Sequence, residues 1–374
     1  MSRRKRIVFS IGTRPEAIKM APVYLAVKAS SDMEAILLST AQHRQLLDQV
    51  LSVFGIEPDV DLNLMSPNQG LSEISAKILT ETQKVLSSMK PDAILVHGDT
   101  ATCLFSALAA FYERIPTGHV EAGLRTYDFD APWPEEMNRR LADPICRWCF
   151  APTERARQNL LREGLSEQQI YITGNTAVDG LFLGLEKLGS RPAAIPGLEP
   201  GCLDGKRLIL VTGHRRESFG VQMEQICRAF RQIIDDNPDC VLVYPVHLNP
   251  HVQRPVRQLL GGHSRIFLIE PVEYLPFIEL MQRSTLIITD SGGIQEEAPS
   301  LQKPVLITRR TTERPEAVEH GLARIVGTQT EAIVSQANRL LTDASEYQQM
   351  IATQNPFGDG HASERIVDIL RETL

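Results

Sequence analysis

The 374-residue sequence lacks the signatures by which a ligand class is most easily read. No G-x-G-x-x-G follows a strand-like run and no G-x-x-x-x-G-K-[ST] occurs, so nicotinamide, flavin and P-loop nucleotide binding have no sequence support. H-E-x-x-H and related ligand spacings are also missing, which leaves no metal site to propose. No apolar run is long enough to span a bilayer. The opening "MSRRKRIVFSIGTRPE" is basic, but its apolar stretch is too short for a secretory signal and reads as a first strand. Of the six cysteines only Cys146 and Cys149 form a C-x-x-C, with no second ligand pair for zinc; buried reduced thiols in a cytoplasmic protein are the expectation. A net charge of −7 argues against a surface built mainly for nucleic acid or a membrane, without excluding a local basic pocket.

What is present is a rhythm. Short β-rich runs ("RIVFSIG", "EAILLST", "DAILVHGD", "TGHVEAG", "RLILVTGH", "CVLVYPVH", "RIFLIE", "TLIITDSGG", "PVLIT") alternate with amphipathic helical segments. Alternation of this kind predicts an α/β protein with parallel sheets covered by helices. A Pro- and Gly-rich stretch between about Gly184 and Lys206 predicts a linker between two Rossmann-like, doubly wound halves. Ligands of such sheets bind beyond the carboxyl ends of the strands, so a cleft between the halves is the expected site.

Nearly every unusual polar cluster follows an apolar run. "TRPEAI" (Thr13 to Ile18) and "ERPEAV" (Glu313 to Val318) each place an arginine before a proline suited to a helix's first position. Arg14 and Arg314 could therefore clamp a diphosphate, although two well-formed helix starts would look the same. Lys19 faces roughly the side of Arg14. Asp99 in "LVHGDT" and Glu121 in "GHVEAGLR" follow successive runs, and Glu135 with Glu136 opens a helix in "PWPEEMNRR". Each acid alone reads as an N-cap or dipole partner, but crowded carboxylates raise one another's pKa and can divide acid and base roles. His214 directly follows Gly213 at a strand end and is expected to contact ligand; His97, His119 and His247 lie at other strand ends. In "TDSGGIQEEAPS" a glycine turn opens a helix, a natural phosphate site, beside Glu296 and Glu297.

With these motifs assembled, the sequence resembles the non-hydrolysing UDP-N-acetylglucosamine 2-epimerases over essentially its whole length. The resemblance is carried by "GTRPEAIKMAP", "TAQHRQLLDQVL", "LVHGDT", "GHVEAGLRT", "PWPEEMNRR", "ITGNTAVD", "VTGHRRESFG", "VYPVHLNP", "EYLPFIELM", "TDSGGIQEEAPSLQKPVL" and "TTERPEAVEHG", in that order. It implies the GT-B architecture, with a Rossmann-like domain at 1–183, a UDP-binding one at 184–361 and the helix 362–374 returning to the first. It also implies interconversion of UDP-N-acetylglucosamine and UDP-N-acetylmannosamine for cell-surface polysaccharide, without cofactor, usually in homodimers. Arg14, Lys19, His214, Phe277, Ser291, Gly292, Gly293, Glu297 and Arg314 would hold UDP. Asp99, Glu121 and Glu135 would move protons. Gln42, His43, Gln45, Arg215 and His247 would bind a second UDP-N-acetylglucosamine as activator. Val272 departs from the polar residue common in relatives near the uracil.

The chemistry fits this reading. The sugar's C2 hydrogen is not beside a carbonyl, so direct abstraction is very unfavourable, and elimination of UDP to 2-acetamidoglucal followed by re-addition is the cofactor-free route. A hydrolysing epimerase, a GT-B glycosyltransferase and a catalytically silent UDP-sugar sensor are the rival expectations.

Overall fold

The computed structural model describes residues 3–41, 44–66, 69–189 and 193–374. Gln42 and His43, and positions 190–192 of the expected linker, lie outside the described residues. The short apolar runs become parallel strands, because a run buried on both faces needs helices above and below its sheet.

In chain order the elements are β1 (Lys5–Ile11), α1 (Arg14–Ala29), β2 (Met33–Ser39), α2 (Arg44–Phe54), β3 (Val60–Asp61), α3 (Leu71–Met89), β4 (Ala93–His97), α4 (Ala101–Tyr112), β5 (Thr117–Val120), α5 (Glu135–Ala142), β6 (Trp148–Ala151), α6 (Glu154–Arg162), β7 (Ile170–Ile172) and α7 (Thr176–Leu188). There follow β8 (Arg207–Thr212), α8 (Val221–Asp236), β9 (Cys240–Pro245), α9 (Pro250–Leu260), β10 (Ile266–Ile269), α10 (Tyr274–Arg283), β11 (Ser284–Thr289), α11 (Gly292–Glu297), β12 (Val305–Ile307), α12 (Pro315–Glu319), β13 (Ala323–Ile325), α13 (Thr330–Thr342), α14 (Ala344–Ile351) and α15 (Ala362–Thr373). One unit comprises Met1–Leu183 with Phe357–Leu374, and the other Gly184–Pro356.

The first unit's sheet has the order β3-β2-β1-β4-β5-β6-β7, and the second unit's β10-β9-β8-β11-β12-β13. In each, the chain starts in the middle, builds outward, then crosses back over its first strand. The loops leaving β1 and β4, or β8 and β11, therefore diverge and leave a crevice at their carboxyl ends. The first core packs Val8, Ile94 and Val96 of the sheet against Leu104, Ala107 and Leu160. The second packs Ile209, Leu242 and Ile288 against Phe230, Ile233 and Val256. Helix α15 is fastened within the first unit, where Asp179 accepts the backbone N–H of Ser363 at 2.7 Å and Trp148 Nε1 donates to Thr373 Oγ1 at 2.8 Å. Among the described residues no helix is long and apolar enough to cross a membrane.

The repeated Arg-Pro-Glu-Ala segments start their helices differently. Helix α12 has Arg314 as N-cap and Pro315 at its first position, as the sequence suggests. Helix α1 has Thr13 as N-cap, so Arg14 is already helical and Pro15 is second. The shift has a cause in Glu16, whose carboxylate accepts the Thr13 N–H at 2.8 Å and closes a capping box one residue earlier.

Candidate active site

In the first unit the chemistry gathers where β4 and β5 end. These strands are parallel neighbours with His97 opposite Val120, and the Gly98 N–H donates to the Val120 carbonyl at 3.0 Å. The two residues that follow, Asp99 and Glu121, thus leave the same sheet edge side by side. Glu121 is buried and holds a left-handed backbone with φ 69°, a conformation that a non-glycine residue keeps only when its surroundings over-determine it. What determines it is visible: Lys19 pairs with Oε1, Asn175 Nδ2 donates to the same oxygen at 3.4 Å, and His97 Nε2 lies 3.7 Å from Oε2.

Asp99 is half-buried and pairs through Oδ2 with the Arg139 guanidinium, while its carbonyl accepts Asn138 Nδ2 at 2.9 Å. Both partners come from α5, which Glu135 and Glu136 open. Those two acids separate cleanly. Glu136 is fully buried and accepts the N–H groups of Thr126 at 3.1 Å and Tyr127 at 3.0 Å, fixing the loop before the helix. Glu135 is half-buried in the first turn.

Crowding of acids was the electrostatic expectation, and the structure alters it. Asp99 and Glu121 each have a cation of their own, because Arg139 and Lys19 sit on helices whose turns face the strand ends. Lys19, expected as a UDP contact, is engaged with Glu121. Beneath them His119 is fully buried, with Nδ1 2.6 Å from Asp143 Oδ1 and Nε2 2.7 Å from the Gly98 carbonyl. Burial alone would raise the Asp143 carboxyl, but His119 and Arg125 hold it below the ordinary aspartate range. This network supports the Gly98–Asp99 turn from below.

The second unit offers cations and glycines at the corresponding places. Asp290, after β11, accepts with Oδ2 the backbone N–H groups of His214 at 2.7 Å and Arg215 at 2.8 Å, and its Oδ1 lies 3.2 Å from His214 Nδ1. Burial would raise this carboxyl, but His214 and the two backbone donors bring it below its usual value. The His214 side chain remains 42% exposed, with its ring stacked on that of His247 at 5.7 Å. Burial and the His214 charge lower the His247 pKa, with Asp290 opposing.

Ser291 caps α11, and Gly292 is buried so closely that a Cβ there would stand 3.4 Å from Arg314 Cζ. Arg314 donates through Nε to Glu296 Oε1 at 2.7 Å, which gives that acid its structural task. Glu297 Oε1 accepts the Tyr274 hydroxyl at 3.5 Å, and Phe277 is half-buried on the same α10 helix. Below Arg314, Arg309 ties Glu217 at 2.6 Å to Glu313 at 2.8 Å; burial opposes the charge on Glu313, but Arg309 with Arg314 and Arg215 lowers its pKa to about 2.

Gln45 lies in the first turn of α2, in the other unit from Arg215 and His247. Among the described residues no cluster of three or more His, Cys, Asp or Glu side chains has the geometry to hold a metal. Asp290, Arg139, Asn138, Asn175 and Glu16 are contacts the sequence reading passed over. All stand inside motifs already quoted, and all but Asn175 lie one to four positions from a named residue, so helical spacing would have found Arg139 from Glu135 and Glu136.

A family description of UDP-N-acetylglucosamine 2-epimerase matches residues 25–371. The UDP-N-acetylglucosamine 2-epimerase of Escherichia coli K12 is 53% identical over 98% of both chains. A crystal structure of the Neisseria meningitidis UDP-GlcNAc 2-epimerase bound to UDP-GlcNAc superposes with a TM-score of 0.91 at 46% identity, covering 98% of this chain and 100% of that one. The Methanocaldococcus jannaschii enzyme in complex with UDP-GlcNAc and UDP gives 0.79 at 34% identity over 99% of each. With two parallel Rossmann-like sheets of GT-B type and this likeness along nearly the whole sequence, the chain belongs to the UDP-N-acetylglucosamine 2-epimerase family.

Proposed function

We propose that the protein interconverts UDP-N-acetylglucosamine and UDP-N-acetylmannosamine by eliminating and re-adding UDP, supplying UDP-ManNAc for a cell-surface polysaccharide. The observation that carries this reading is a grouping of side chains: the strand-end carboxylates Asp99 and Glu121 stand with Arg139 and Lys19 in the first unit, and the glycine turn stands beside Arg314 in the second. A hydrolysing epimerase would move the same C2 protons and differ only in adding water, not UDP, to C1, so the products separate the two.

In the forward direction the C1–O bond to UDP breaks and a carboxylate takes the C2 proton, leaving 2-acetamidoglucal with a C1=C2 bond. A proton then returns to the opposite face of C2 as the UDP oxygen adds to C1. Asp99, Glu121 and Glu135 share these transfers, with Lys19 and Arg139 steadying the charges on the first two. Arg14, Arg314 and His214 meet the departing diphosphate, and Ser291, Gly292 and Gly293 let the backbone approach it. Phe277 helps to hold UDP, and Glu297 accepts from the ribose hydroxyls. Arg215 and His247 belong to a second nucleotide-sugar site, and the active form is a homodimer. The Neisseria and Methanocaldococcus complexes with UDP-GlcNAc support the ligand class.

Turnover in D2O followed by NMR tests the scheme. UDP-ManNAc carrying deuterium at C2 is expected. Free N-acetylmannosamine with UDP from the outset would make the protein a hydrolysing epimerase, and product without deuterium would exclude elimination.

A further inference from the structure

Glu16 enters none of these steps, yet it occupies the crevice where the first sheet reverses its order. Its side chain is buried, and every contact it makes is with a neutral donor. Oε2 accepts the Gly12 N–H at 3.0 Å, the Thr13 N–H at 2.8 Å and the Thr13 hydroxyl at 2.8 Å. Oε1 accepts the Thr100 hydroxyl at 2.6 Å, and Thr100 Oγ1 in turn caps α4 by accepting the Cys103 N–H at 3.0 Å.

Capping α1 requires only the first set of contacts. The bond to Thr100 crosses 84 positions of sequence and joins the first turn of α1, which follows β1, to the loop leaving β4. Arg14 opens that first turn, and Asp99 immediately precedes Thr100 in the loop after β4. Burial pushes the Glu16 carboxyl up to about 7 against the pull of its four hydrogen bonds. The nearby Cys103 thiol is itself raised, by burial first and by the Glu16 charge next.

We propose that Glu16 is a positioning residue, a buried carboxylate that fixes the first turn of α1, which carries Arg14, to the Asp99 loop and so sets the spacing between a leaving-group cation and a proton-transfer acid. The inference rests on the epimerase reading, so wild-type turnover is measured first; failure of that reading shows in the wild type, and failure of this one only in the variants.

The full-length chain is compared with Glu16→Gln, Thr100→Val and Thr100→Ser by kcat per folded molecule, UDP affinity and thermal midpoint against pH. Misplacement of reacting groups is expected to lower kcat by roughly ten- to a hundredfold in Glu16→Gln and Thr100→Val, with UDP affinity changed by less than about threefold and Thr100→Ser restoring turnover. The folded carboxyl titrates near 7, above its ordinary 4.5, so the folded state holds the proton more tightly. Its stabilising effect is complete below pH 4.5 and lost as pH rises through 7; that slope should flatten in Glu16→Gln. Unchanged kcat in folded Glu16→Gln, or equal losses of kcat and UDP affinity, overturns the proposal. Should Glu16→Gln not fold, the Thr100→Val and Thr100→Ser pair decides by the same two readings.

Discussion

After β4 the first unit places Asp99, and after β11, the strand at the same place in the second sheet, stands Asp290. Asp99 pairs with one arginine and stays half-buried, whereas Asp290 is buried and spends its oxygens on two backbone N–H groups and His214. After β5 comes Glu121 in a left-handed backbone; after β12, its counterpart by strand order, comes the loop that delivers Arg314. One topology therefore carries two kinds of strand-end loop. The first unit pairs each strand-end carboxylate with a side-chain cation, and the second uses Asp290 to hold backbone N–H groups and Glu296 to hold Arg314.

If that contrast is functional, substitutions in the two units should separate turnover from nucleotide binding. The largest effect is expected at Glu121→Gln, which keeps an acceptor for Lys19 but removes one of the three carboxylates proposed to move protons: kcat should fall by about 10²- to 10⁴-fold, with UDP affinity nearly unchanged by titration calorimetry. A parallel loss of affinity would merge the two roles and break the comparison. Next comes Arg314→Ala, which removes a charged donor held by Glu296 and should cost about 1.5–3 kcal/mol of UDP binding. Full retention of UDP affinity would take Arg314 out of the site. Asp290→Asn should do least, roughly 0.5–1.5 kcal/mol of UDP affinity, because the amide oxygen can still accept a backbone N–H while His214 loses its anionic partner. A loss larger than that of Arg314→Ala would mean that the second unit depends more on its anion than on its cation.

Much of this was legible from the residues. The nine apolar runs are strands, and their spacing is enough for two doubly wound sheets because burial on both faces leaves so clear a pattern. Four strands left no run to read. β3, β6, β7 and β13 are two to four residues long, and in β7 and β13 only the first residue is buried, so their pairing is decided by neighbours rather than by composition. The acids and the glycine turn were also legible as types at strand ends. Their partners were not, since Lys19 reaches Glu121 across 102 positions and His214 meets Asp290 across 76, distances over which one sequence gives no spacing to measure. The one-residue shift at Arg14 was hidden for a related reason: proline tolerates either of the first helical positions, and the buried Glu16 decides between them.

The bonds at Asp290 have a kinetic meaning as well. A loop whose N–H groups are already held by a buried carboxylate gave up its conformational freedom when the chain folded, so little remains to be lost when an anion arrives. Encounter with the nucleotide should then proceed without a slow ordering step at His214, and the association rate should follow charge and ionic strength rather than loop rearrangement.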